Sequence, residues 1–162
     1  MANITPKLLG LLNNQVNIEL GNAALYRQLS AVANQLGFLN TESKLKSQYS
    51  DELDHFNKVF EYILDRDHLP LITGIVEPIR NAETLKEIFE IALMREKETT
   101  AELKKIRQEA INVDDQLTEI FLNDMLLEQI EEENFIYDIL AQLRVAGDNA
   151  AALLLIDSQL GN

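Results

Sequence analysis

Apolar residues recur along this chain at alternating steps of four and three, the spacing that keeps side chains on one face of an α-helix. The clearest run reads Leu85, Phe89, Ala92, Glu96, Thr99, Leu103, Ile106, Ala110. The same walk gives Leu12, Val16, Glu19, Ala23, Tyr26, Ser30, Ala33, then Leu45, Gln48, Glu52, His55, Val59, Tyr62. A last seam reads Thr118, Leu122, Met125, Gln129, Glu132, Ile136, Ile139, Leu143. With only 6 glycines and 3 prolines, the places where helices stop are easy to find. The pattern predicts long helices from Pro6 to Leu36, from Thr41 to Arg66, from Glu83 to Ile111 and from Asp114 to Arg144. Gly147 then precedes a short apolar helix from Asn149 to Leu160.

The first two helices are joined by a short turn at Gly37, and the third and fourth by "NVDD", so each pair is antiparallel. Between the pairs lies "DHLPLITGIVEPIRNAE", with Pro70, Gly74 and Pro78 and no helical period. About sixteen extended residues at roughly 3.3 Å each reach about 50 Å, the full length of such a helix. The second and third helices can therefore run parallel. The expected fold is all-α: one domain over residues 1–162, with a four-helix bundle spanning 6–144, a long crossover and an appended fifth helix at 149–160.

Composition narrows the function. An apolar fraction of 46% in 162 residues is ample for a core. Against 14 basic side chains stand 27 acidic ones, a formal charge of -13 that repels nucleic acid and anionic membranes and attracts cations. No apolar run approaches the roughly 20 residues needed to span a bilayer, and the N-terminal stretch lacks the features of a signal peptide, so a cytoplasmic location is expected. With no cysteine, the strong metal ligands are limited to Asp, Glu and His.

Each of the four seams carries a glutamate at an inward position: Glu19, Glu52, Glu96 and Glu132. Carboxylates are seldom buried without partners, so four exceptions ask for one cause. All four fall near the midpoint of their own predicted helix, and midpoints coincide whichever way a helix runs. Four carboxylates and the imidazole of His55 therefore converge at mid-bundle, a concentration of charge that two divalent cations would neutralise. Oxygen-rich ligation with one histidine suits iron or manganese, and Glu52 and His55, at i and i+3, share a face.

"NIELGNAALYRQLSA", "DELDHF", "EKETT" and "LEQIEEENF", spread over essentially the whole chain, resemble the motifs of bacterial non-haem ferritins, members of the ferritin-like superfamily. The resemblance implies that Glu19, Glu52 and His55 form a first iron site, that Glu52 bridges to a second built from Glu96 and Glu132, and that Gln129 lies close by. It also implies ferroxidase activity, in which Fe(II) is oxidised by O2 or H2O2 and stored as a ferric mineral inside a shell of twenty-four chains. Tyr26, on the same face as Glu19, matches a tyrosine beside the ferritin diiron centre that can donate an electron; an ordinary core tyrosine is the alternative. Asp51, Glu128 and Glu131 match positions that bind a third iron in some bacterial ferritins, where a solvated acidic face is the alternative. Asp114, Asp115 and Glu119 match the lining of threefold channels, although acidic residues also start helices well. His68, isolated in the crossover, reads as structural. The final helix is too apolar to face water all round, and symmetry mates in a shell would cover it.

Departures from the family patterns are informative. The fourth helix carries Gln129-x-x-Glu132 where a symmetric pair of motifs has Glu-x-x-His, so the second iron is expected to be held less tightly and passed on. Leu53 stands where haem-binding bacterioferritins typically carry methionine, so no haem is expected. A ferritin-like carboxylate oxidase would need an apolar access pocket and a second histidine, and a DNA-protecting miniferritin would place its metal between subunits. Those are the competing readings.

Overall fold

The computed structural model describes residues 4–74 and 81–161. The helices are α1 (Pro6–Gln35), α2 (Leu39–Asp65), α3 (Leu85–Asn112), α4 (Gln116–Ala146) and α5 (Ala150–Gln159), with no strand among the described residues. Local chemistry sets most of the ends. Thr5 accepts a hydrogen bond from the Leu8 amide ahead of Pro6, Thr84 from Glu87, Asp115 from Thr118 and Asn149 from Ala152. At the other ends α1 turns at Gly37 (φ 87°), α2 at Asp67 (φ 60°) and α3 at Asp114 (φ 56°). In each case the next amide bonds back five residues, Phe38 to Ala33, His68 to Ile63 and Asp115 to Ala110, which satisfies carbonyls the helix leaves open. Asp67 and Asp114 thus fill left-handed positions that short polar side chains tolerate.

Side-chain pairs fix the helix directions. Gln48 meets Glu132 and Tyr62 meets Thr118, so α2 and α4 are antiparallel. Lys7 meets Glu109 and Tyr26 meets Glu96, so α1 and α3 are antiparallel as well. With α1 antiparallel to α2 through the short turn at Gly37, α2 and α3 run parallel, as the length of the crossover predicts. Where the crossover is described, two asparagines of α1 hold it. Asn13 accepts from the Leu71 amide at 2.7 Å; Asn17 donates to the Leu71 carbonyl at 2.8 Å and accepts from the Thr73 amide at 2.7 Å. Pro78 lies outside the described residues.

α2 begins at Leu39 rather than at Thr41, and the reason is tertiary. Phe38 offers no side-chain cap. Asp157 of α5 does so instead, accepting from the Asn40 and Thr41 amides at 3.3 and 2.7 Å and from the Thr41 hydroxyl at 2.7 Å. The last helix is thereby pinned to the start of the second, while its Leu154 and Leu155 stay exposed.

The apolar core divides in two. One half gathers Leu25, Leu29, Leu45, Leu85, Phe89 and Ile139; the other gathers Leu8, Leu12, Val16, Ile63, Leu103 and Leu122. Between them lies a buried polar layer.

Candidate metal centre

The glutamates of that layer come from the seams of the bundle. Glu19, Glu52 and Glu96 are 1%, 3% and 0% exposed, and Gln129 is buried beside them. Glu132, at the edge, and His55 keep part of their surface. Ligand atoms of Glu19, Glu52 and His55 lie within 4.8 Å of one another, and they form the one such group of three among the described residues. One helix turn separates Glu52 from His55, whose Nδ1 stands 3.5 Å from Glu52 Oε2. The other ring nitrogen, Nε2, is 2.7 Å from Glu128 Oε2, and Lys58 approaches the second Glu128 oxygen at 3.0 Å.

Glu96 is held from two sides. The Tyr26 hydroxyl donates to Glu96 Oε1, and Gln129 Nε2 donates to Glu96 Oε2 at 2.9 Å. Glu132 accepts from Gln48 Nε2 at 2.5 Å. Glu19 accepts from Gln15 Nε2 at 2.6 Å on one oxygen and from Asn22 Nδ2 at 3.4 Å on the other. Asn22 is itself anchored to Thr99 Oγ1 of α3 at 3.0 Å. Glu52 Oε2 is buried without a hydrogen-bond partner, as are Gln15 Oε1 and Asn22 Oδ1. A buried carboxylate oxygen with no donor is costly, and a cation is the species that would repay it.

The electrostatics agree. Burial, and then repulsion from Glu52, holds the Glu19 carboxyl well above the ordinary carboxylate range. Burial and repulsion from Glu96 do the same for Glu52. Glu96 is raised by burial against the opposing bonds from Tyr26 and Gln129, and Glu132 by burial and by Glu96. Burial and the Glu96 charge push the Tyr26 phenol far up. These groups act on one another through a buried interior, where like charges repel strongly and His55 and Lys44 offset only part of the repulsion.

Glu128 is drawn to His55, whereas Asp51 and Glu131 are exposed. Asp51 still acts on Glu132, whose carboxyl its charge helps to raise. At the turn into α4, Asp115 is the helix-start residue: it is 7% exposed and ion-paired with Arg66 at 3.0 Å, while Asp114 is exposed and Glu119 half-buried. His68 is half-buried, its Nε2 unpartnered.

Sequence reasoning missed Gln15 and Asn22. Both flank Glu19 at helical spacing, four before and three after, so a search for polar neighbours of the inward glutamate finds them. The cavity next to the centre, lined by Tyr26, Gln48, Phe89 and Ile136 among others, holds only about 10 Å³. That is room for about one water.

A family model described as a ferritin-like domain matches residues 9–146. A probable bacterial non-heme ferritin-like protein from Haemophilus influenzae is 32% identical over 98% of this chain and 96% of its own length. The bacterial non-heme ferritin of Escherichia coli O6:H1 is 29% identical over 97% of this chain and 95% of its own. Among solved structures, an open pore ferritin from Archaeoglobus fulgidus superposes with a TM-score of 0.94 at 28% identity, covering 99% of this chain and 98% of that one.

Proposed function

Because this chain belongs to the ferritin family, we propose that it stores iron, oxidising Fe(II) at the mid-bundle carboxylate centre and depositing Fe(III) within a shell of like chains. The observation that carries the reading is the convergence of Glu19, Glu52 and His55, with one Glu52 oxygen buried and without a donor. Iron is the substrate. One Fe(II) takes Glu19, Glu52 and His55; a second takes Glu96 and Glu132, with Glu52 shared. Each Fe(II) gives up one electron, and the oxidant takes both. O2 leaves as H2O2 after gaining two protons; H2O2 leaves as two waters after gaining two. Carboxylates favour the product because hard anionic oxygens stabilise the higher charge of Fe(III).

The chain's own residues set the conditions. The apolar halves on either side exclude bulk water, which strengthens the pull of the carboxylates on a cation. Gln129, a neutral amide, and Glu132 make the second position the weaker one, so the oxidised ion moves on. Tyr26, bonded to Glu96, would supply the second electron and its phenolic proton when only one Fe(II) is bound, leaving a tyrosyl radical. Asp51, Glu128 and Glu131 offer a third, outer position through which iron leaves; Glu128 would have to release His55 to take part.

The small cavity supports oxidation of the metal over oxidation of an organic substrate, for which it has no room. Three ligands drawn from one chain count against a metal site between subunits, the miniferritin pattern. Leu53 in place of methionine supports a centre without haem. Exposed Leu117, Ile120, Leu127 and Ile130 on α4, with Leu154 and Leu155 on α5, support burial against other copies, which we take to be a twenty-four-chain shell. The deciding experiment is aerobic addition of Fe(II) to the apo protein, followed by size analysis and an iron count. On the order of thousands of irons per particle is the expected result, and about two per chain would instead mark a fixed cofactor.

A further inference from the structure

We infer that Gln15, Asn22 and Gln48 are positioning residues that hold the outer carboxylates of the centre with neutral amide donors and leave Glu52 as the shared, movable ligand. The inference rests on the diiron reading above and deepens it. Gln15 grips one oxygen of Glu19 and Asn22 reaches the other, and Gln48 grips Glu132. Gln15 and Asn22 are buried at 1% and 0% exposure, far from any role in solubility, and their own carbonyl oxygens go unpartnered to make this arrangement. Two stranded carbonyls are a real cost, so the amides are held there for what their N–H groups do.

The residue type matters. A carboxylate offers about four lone-pair sites. A donor on each Glu19 oxygen fixes the plane of the carboxylate and leaves lone pairs aimed at the site. An amide does so without cancelling the negative charge, whereas lysine or arginine in its place would compete with the cation. Thr99 extends the grip to a second helix through Asn22, so Glu19 is set by both α1 and α3. Glu52 is different: its Oε2 has no hydrogen-bond donor, and His55 Nδ1 stands 3.5 Å away. That freedom suits the one ligand that must serve two ions.

The test uses Co(II), which binds oxygen and nitrogen ligands and reports its geometry through visible bands. Gln15→Met, Asn22→Leu and Gln48→Met keep volume and remove the donor. Each should weaken Co(II) binding to the apo protein by about tenfold or more, the usual cost of losing a partner that orients a metal ligand. Each should also change the band shape and raise KM for Fe(II) more than it lowers kcat. Glu19→Ala serves as the reference. If it loses Co(II) while all three amide variants bind with wild-type affinity and spectrum, the positioning role is wrong and the centre stands. If Glu19→Ala itself binds normally, the centre reading fails. Should one variant not fold, the remaining two probe the same role at a different ligand oxygen.

Discussion

The Tyr26 hydroxyl on α1 donates to the Glu96 carboxylate on α3, across the buried layer that separates the two halves of the core. The bond ties the candidate electron donor to a candidate iron ligand, and without it Glu96 keeps only its bonds from Gln129. Tyr26→Phe should therefore lower apo stability by about 1.5–3 kcal/mol, the usual worth of a hydrogen bond to a charged group. It should also slow Fe(II) oxidation in stopped-flow while leaving Co(II) binding close to wild type. An oxidation rate equal to wild type would reduce Tyr26 to a core residue.

Glu96 is best tested by two substitutions of different kinds. Glu96→Gln keeps an acceptor for Tyr26 or Gln129, which bond different oxygens, but not for both; with the charge removed, apo melting should still rise, by the equivalent of about 1 kcal/mol. Glu96→Leu removes the charge as well but strands the Tyr26 hydroxyl, while Gln129 keeps its bonds to the residue 96 carbonyl and Thr100 Oγ1, so part of the gain is offset. Both should abolish rapid iron oxidation. Oxygen uptake after Fe(II) addition, measured beside thermal melts, separates the effects, and a rate unaffected by either change would remove Glu96 from the ligand set.

The seams and the heights of the four glutamates were legible because helical periodicity and burial are properties of the chain itself. Every residue of the α3 seam is buried, and Glu19, Glu52 and Glu96 are buried with Gln129, while Glu132 is only partly covered. What the seam walk could not show were contacts made between helices. Gln15 and Asn22 stand beside Glu19 rather than on the walk, and nothing in "LLLIDSQL" marks Asp157 as the residue that caps α2. Asp115 reads from sequence as part of an acidic cluster, yet Arg66, 49 residues earlier, claims it.

That pairing changes how iron entry through the α3–α4 turn has to be tested. Asp115 accepts from Arg66, Thr118 Oγ1 and the Thr118 amide, so Asp115→Ala would remove a buried ion pair and the cap of α4 together. A loss of about 3–5 kcal/mol is expected from chemical denaturation. Asp114 and Glu119 carry no such duty. Asp114→Asn with Glu119→Gln should keep stability near wild type while slowing iron uptake, and unchanged uptake would exclude this turn as the entry route.

Asp157 governs the last helix. Asp157→Asn keeps the shape but loses the charge that four donors, on Asn40 and Thr41, now share. Stability should fall by about 1–2 kcal/mol, the range of a lost helix cap, and α5 should become the first segment to exchange its amide hydrogens. Truncation after Gly147 removes the exposed leucines too, and should weaken or alter the assembled particle. Particles of equal stability by size-exclusion and thermal melting would show that α5 is not an assembly element.

The pH dependence of the apo protein follows from two opposed sets of carboxyls. Those of Glu19, Glu52 and Glu96 are raised in the folded state above 4.5, first by burial. Folding therefore binds protons between the unfolded and folded values, and the stability these groups contribute is complete below the unfolded value and is lost as pH rises through the folded ones. Asp115 and Asp157 are depressed, because the donors around each outweigh the cost of burial. Their contribution is present above the unfolded value, near 3.8, and is lost as pH falls through the folded values. Apo stability should accordingly peak on the acid side of neutrality and decline toward pH 8. A divalent cation takes the place of the protons, and its binding raises stability by an amount set by its concentration over Kd. With saturating Co(II) or Zn(II) the decline toward pH 8 should flatten, and the difference between metal-loaded and apo melting temperatures should widen as pH rises from 5 to 8. Glu96→Gln, with one titrating carboxylate fewer, should show a shallower apo decline and a smaller metal effect. Parallel apo and metal-loaded curves across that range would mean that the buried carboxylates do not bind the cation.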